Sequence, residues 1–175
     1  MRNIFPADKE PLRSLIFEAI NKTAASGEET LKALGQCASH IRNRIEVARL
    51  VKECGLQSDR SGANDALELY CDLIRNHHDI GYISKGWEDP GFRVGDVLKV
   101  EKPKWEAFKA HVHEIHTFCV TNGIVMTVKE DEDAYEIQME GVIYSEGFNK
   151  ETFLKTLDTL AECVEKAQAF YKKAS

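Results

Sequence analysis

Apolar residues recur at helical spacing through most of the first 78 positions. Leu12, Leu15, Ile16, Ala19 and Ile20 fall on one face. Pro11 stands in the first turn, where its missing N–H costs nothing. "SGEE" at 26–29 has the layout of a capping box. A long periodic run follows: Leu31, Leu34, Ala38, Ile41, Ile45 and Ala48. Gly55 is a natural stop. After the turn-like "SDRSGAN", Ala66, Leu67, Tyr70, Leu73 and Ile74 predict a third helix ending near His77 and His78.

Residues 79–104 change character. Glycine and proline punctuate "GYIS", "KGWEDPG" and "FRVGDVLKV", which read as loop with short extended pieces. Phe92, Val94, Leu98 and Val100 alternate as in a strand, and Asp96 breaks the alternation. The segment reads as a linker or a loop over a site. Helical spacing returns at Trp105, Phe108, Val112, Ile115 and Cys119, and Asn122 with Gly123 ends that helix. "GIVMTVKE" and "AYEIQME" are strands around the acidic turn "DED". Tyr135, Ile137 and Met139 alternate with Glu136, Gln138 and Glu140, so one face is wet. Gly141 marks a bulge or turn before "VIYS". Asn149 caps a final helix with a buried stripe of Phe153, Leu157, Leu160, Val164 and Ala167. Lys172 and Lys173 suit its C-terminal dipole.

The expected fold class is α+β. A helical region spans 1–84, a loop or extended connector 85–104, and a helix–antiparallel hairpin or sheet–helix unit 105–175, unless all three form one domain. A two-stranded sheet is marginal alone. This one therefore needs "FRVGDVLKV" as a further strand, or a second subunit, which makes a homodimer an expectation.

Composition narrows the class. The 175 residues are 43% hydrophobic and 30% charged, ordinary globular values. No stretch approaches the roughly 20 apolar residues that cross a bilayer, and the N-terminus lacks a signal-peptide layout. Five scattered cysteines without a CxxC read as reduced thiols in a cytoplasmic protein. The net charge of −6, concentrated after residue 80, argues against nucleic acid, whose phosphates select a basic surface.

The candidate chemistry centres on "AHVHEIHTFCV". On a helix, His113 and His116 are neighbours at i, i+3, while His111 lies on another side. The three cannot ligate one ion together. His113 and His116 could hold zinc or another transition metal only with donors from elsewhere, such as His77 or His78. "HEIH" lacks the spacing of HExxH. "KEDEDAYE" fails the calcium-loop pattern, because the sixth position from Asp131 is Glu136 rather than glycine. Cys54 and Cys119 lack the neighbourhood of a nucleophile. "GWEDPGFRVG" matches no phosphate-binding loop. No catalytic residue and no cofactor are assigned. Trp87 and Phe92, in a glycine-flanked loop, read as binding anchors or as core residues. Glu136, Gln138 and Glu140 form the wet face of a strand.

From Trp105 onward the order of elements is itself informative. Gly123 and Ile124, then Tyr135 to Ile137, Val142 to Tyr144, and Phe153 through Val164 follow a helix–strand–strand–helix sequence. Over residues 105–173 this resembles the type III secretion chaperone-like fold, including the YbjN-like proteins. The resemblance implies a small acidic cytoplasmic protein that binds other polypeptides, often as a dimer, with no catalytic residue to carry over. The expected function is therefore non-enzymatic binding of another protein, of chaperone, adaptor or immunity type, through Trp87, Phe92, Glu136, Gln138 and Glu140. The alternative is a metal- or small-molecule-binding protein or enzyme using the histidine helix and residues 77–92.

Overall fold

A computed structural model describes residues 27–59, 69–76, 78–86 and 89–174. The helix read at Leu12 to Ile20 lies outside them. Helix α1 is Gly27–Glu53. Strands β1 (Gln57–Asp59), β2 (Leu69–Arg75), β3 (His78–Lys85) and β4 (Gly91–Glu101) follow. Helices α2 (Lys102–Lys109) and α3 (Val112–Thr121) come next, then β5 (Val125–Glu130), β6 (Ala134–Tyr144) and α4 (Lys150–Lys173). The α+β class holds: among the described residues four helices accompany one antiparallel sheet of order β1-β2-β3-β4-β6-β5.

The third predicted helix is not one. Residues 69–75 form β2, with Leu69, Cys71 and Leu73 buried and the residues between them only half-buried. Over seven residues the same apolar set satisfies either period, and sheet pairing decides. Nor is the segment from 79 to 104 mainly loop. It supplies β3 and β4, and β4 lies inside the sheet, paired with β6 along all of its length from Gly91↔Tyr144 to Glu101↔Ala134. "FRVGDVLKV" is thus the further strand the hairpin needed, so sheet completion no longer calls for a second subunit. Pairing between β3 and β4 ends at Tyr82↔Gly95. Asp96, which breaks the apolar alternation, sits just past that end.

The single helix read through Trp105 to Cys119 is two, broken at Ala110 and His111. Gly141 neither bulges nor turns β6, whose register runs through it unbroken. A Cβ there would come within 2.6 Å of Thr156 Cγ2, so the glycine lets α4 lie close on the sheet. Helix α4 buries the predicted stripe of Phe153, Leu157, Leu160, Val164 and Ala167, together with Cys163. Asn149 caps it by accepting from the N–H groups of Glu151 and Thr152.

The core lies between the helices and one face of the sheet. Phe92, Val94 and Val100 of β4 and Ile137 and Met139 of β6 meet Phe108, Ile115, Phe153 and Leu160. Helix α1 joins this core through Val47, Leu50 and Val51, near its C-terminal end. The periodic stripe read from Leu31 to Ile45 faces outward: Leu31 is 72% exposed, Leu34 45%, Ile41 40% and Ile45 63%.

Candidate functional site

All the core positions of β4 and β6 fall in one alternating set, so the other set projects from the opposite face. No described helix lies on that face. Cross-strand register brings its residues together: Tyr82 stands opposite Gly95, Gly95 opposite Glu140, Val97 opposite Gln138, and Glu140 opposite Val125. Gly95 has a steric role here. A Cβ on it would lie 2.7 Å from Tyr82 Cζ and 2.9 Å from Glu140 Cγ. The missing side chain is the room in which the Tyr82 ring crosses the strand.

A closed hydrogen-bonded triangle results. The Tyr82 hydroxyl donates to Glu140 Oε1 at 2.6 Å. Gln138 Nε2 donates to the Tyr82 hydroxyl oxygen at 2.7 Å and to Glu140 Oε1 at 3.0 Å. Burial, reinforced by the bond to Glu140, pushes the Tyr82 phenol well above its ordinary range. Tyr70 stacks on Tyr82 with ring centroids 5.2 Å apart. Its own phenol is pushed up to about 12, chiefly by burial and then by Asp72. Both therefore stay neutral donors at physiological pH. Glu136 pairs with Lys99 at 3.1 Å, and Arg93 with Asp89 at 2.9 Å. The triangle borders a cleft of about 260 Å³ that also takes in Ser84 and Arg93. Around it the same face exposes Val97, Val125, Val142 and Tyr144.

The sequence-derived residues separate on this structure. Glu136, Gln138 and Glu140 come together on the helix-free face. Phe92 does not join them: it is fully buried and stacked on Phe148 at 3.8 Å, the core position that the sequence had left as its alternative. Lys85, itself buried, lies 4.4 Å over the Phe92 ring and donates to Ser145 Oγ at 2.6 Å. Ser145 Oγ in turn donates to the Pro90 carbonyl. This arrangement clasps the end of β3 to the turn after β6. Trp87 lies outside the described residues, as does His77.

His113 and His116 border a second cleft, of about 500 Å³, between α2, α3 and the edge strand β5. Trp105, Val112, Met126 and Val128 make its walls apolar. His111 points elsewhere, stacked on Phe170 of α4 at 4.3 Å. Among the described residues no three His, Cys, Asp or Glu side chains converge as a metal site would require. Sequence reasoning missed Tyr70, Tyr82 and Gly95, because only pairing register places them beside Glu140.

No family model matches the chain, and no curated protein matches it either. Solved structures do. An uncharacterized protein from Methanothermobacter thermautotrophicus superposes with a TM-score of 0.56 at 9% identity, covering 73% of this chain and 94% of its own. YbjN from E. coli, a candidate transcription regulator, superposes with a TM-score of 0.52 at 11% identity, covering 70% and 89%. Residues 105–173 are less than half of the chain, so the likeness extends beyond them. At these identities what is shared is the fold, and that fold is YbjN-like.

Proposed function

We propose that this chain is a non-enzymatic protein-binding module of chaperone, adaptor or immunity type, and that the helix-free face of its sheet receives the partner. One observation carries the reading: a prearranged Tyr82–Gln138–Glu140 centre is ringed by exposed Val97, Val125, Val142 and Tyr144. Rigid aromatics with satisfied polar groups, surrounded by apolar side chains, are the makings of a protein interface. The net negative charge supports a polypeptide partner over nucleic acid, and the YbjN-like fold is compatible with a binding module. The five free thiols support a reducing, cytoplasmic setting. The type III secretion chaperone resemblance and assembly as a homodimer belong to the same reading.

The test is capture from the native host by the full chain, beside a Val142→Asp/Tyr144→Asp variant. Both side chains are exposed, so the variant should melt like the wild type. The expected result is a specific protein whose affinity, remeasured by calorimetry with purified components, falls at least about tenfold in the variant, roughly 1.4 kcal/mol. Equal binding by both forms would sink the assignment of the face.

A second reading has the apolar cleft beside His113 and His116 in its favour: a small-molecule or metal ligand held at the histidine helix. Stoichiometric metal in the purified untagged protein, lost in His113→Ala/His116→Ala, would establish it in place of the first.

A further inference from the structure

The cleft beside the tyrosine pair has one charge left over. Three charged side chains line it: Arg93, Glu136 and Glu140. Asp89 answers Arg93, and Lys99 answers Glu136. Glu140 pairs with no cation among the described residues. Its Oε1 accepts from Tyr82 and Gln138, and its Oε2 accepts no bond there. Gln138 spends its amide N–H groups on the same two neighbours, so its carbonyl oxygen remains an acceptor. Ser84 adds a third unspent group. It stands between Tyr70 and Arg93 in the sheet register. Only 5% of it is exposed, and it lines the cleft, yet its hydroxyl makes no hydrogen bond among the described residues. A polar group held that deep without a partner costs free energy until a ligand meets it.

We infer that this cleft receives an arginine side chain of the partner polypeptide. The inference rests on the proposed function and names the chemistry of the residue that anchors the partner. A guanidinium carries five N–H donors and no acceptor, which suits a cleft whose open groups are the acceptors of Glu140, Gln138 and Ser84. Its plane stacks on aromatic rings, here those of Tyr70 and Tyr82, better than a compact ammonium does. The local field favours a cation. After burial, the carboxylates of Asp72, Asp79 and Asp96 are what push the Tyr70 phenol up. Size agrees as well. At about 260 Å³ the cleft is smaller than the pockets of roughly 300–1,000 Å³ that enclose whole small ligands, so it takes a side chain. Exposed Val97 lines it, and exposed Val142 stands opposite Arg93, ready for apolar residues on either side of the arginine. A neutral or acidic side chain would leave Glu140 unmatched.

Magnetic resonance titration of the full chain with acetyl-Val-Arg-Val-amide tests this. The same peptide with citrulline keeps the shape and loses the charge. The arginine peptide should give saturable shifts at the amides of Ser84, Gly95 and Glu140. Citrulline should weaken binding at least about tenfold, and so should Glu140→Gln, which still accepts from Tyr82 and should melt like the wild type. Glu132→Gln removes the same charge at the exposed hairpin turn and should bind as the wild type does. Should Glu140→Gln melt early, the citrulline comparison on the wild type decides alone. The inference is overturned by any of four results: no saturable shift at those amides, citrulline or lysine peptides that bind as tightly as the arginine one, full binding by a folded Glu140→Gln, or an equal loss in Glu132→Gln. Partner capture is a separate readout. Capture lost in Val142→Asp/Tyr144→Asp but undiminished in Glu140→Gln would keep the face and overturn the arginine. Charge-dependent peptide binding without a captured partner would support the cationic cleft and leave the face without its partner.

Discussion

Gly95 shows how much one missing side chain can position. Its place in β4 lets the Tyr82 ring lie across the strand and reach Glu140. Gly95→Ala puts a methyl group 2.7 Å from the ring and forces it out. Overpacking of this kind costs roughly 1–3 kcal/mol. Chemical denaturation should show that loss in the wild-type background and a smaller one in Tyr82→Ala, where only the flexible Glu140 side chain remains to give way. Equal losses in both backgrounds would mean that the glycine serves the backbone and not the ring. Asp96, one residue on, is the complement of this case. Burial raises its carboxyl above the ordinary value, the nearby Asp79 adds to the rise, and the N–H of Val97 offsets part of it by donating at 2.7 Å. The carboxyl breaks the alternation of β4 where β3 has stopped pairing.

Elements differ in how far their own sequence specifies them. Helix α4 is specified several times over. It has an apolar stripe at helical spacing, basic residues in its last turn, and a capping box in which Asn149 and Thr152 satisfy each other's backbone N–H groups. Asn149→Ala should cost about 1 kcal/mol, read from the urea midpoint, with Thr152 left facing an unanswered turn. Strand β2 is the opposite case. Its seven residues satisfy a helical and an extended period alike, and its pairing with β3, through Cys71↔Ile83 and Asp72↔Tyr82, lies outside its own sequence. The same reasoning covers the stretch from 79 to 104, where glycine and proline signal loop although the sheet recruits it. Helix α1 was legible as a helix, but its apolar stripe was not legible as an outward one. Periodicity locates a face and does not say what covers it. Of the candidate site, Glu136, Gln138 and Glu140 were readable from alternation alone. Tyr70 and Tyr82 become neighbours only through register.

At the scale of the whole molecule the thiols report on integrity. Cys37, Cys71, Cys119 and Cys163 are buried, and Cys54 alone is partly open. Burial raises Cys119, and it pushes Cys163 up to about 12, so neither supplies thiolate at neutral pH. A colorimetric thiol reagent at neutral pH should therefore react readily with about one thiol of the native protein and with all five in denaturant. Rapid reaction of several thiols before unfolding would show that the helices separate from the sheet as independent units.

The placement of β4 has a practical corollary for anyone who divides the polypeptide. Cutting after residue 104 to obtain the carboxy-terminal portion would remove the whole ladder from Gly91↔Tyr144 to Glu101↔Ala134. What remained would be a two-stranded ribbon with a raw edge along β6 and Ile137, Met139 and Ile143 beside it. Bare ladders of that length recruit whatever extended chain is at hand. The excised piece would be a seed for aggregation, and supplying the missing strand as a peptide would be the way to tame it.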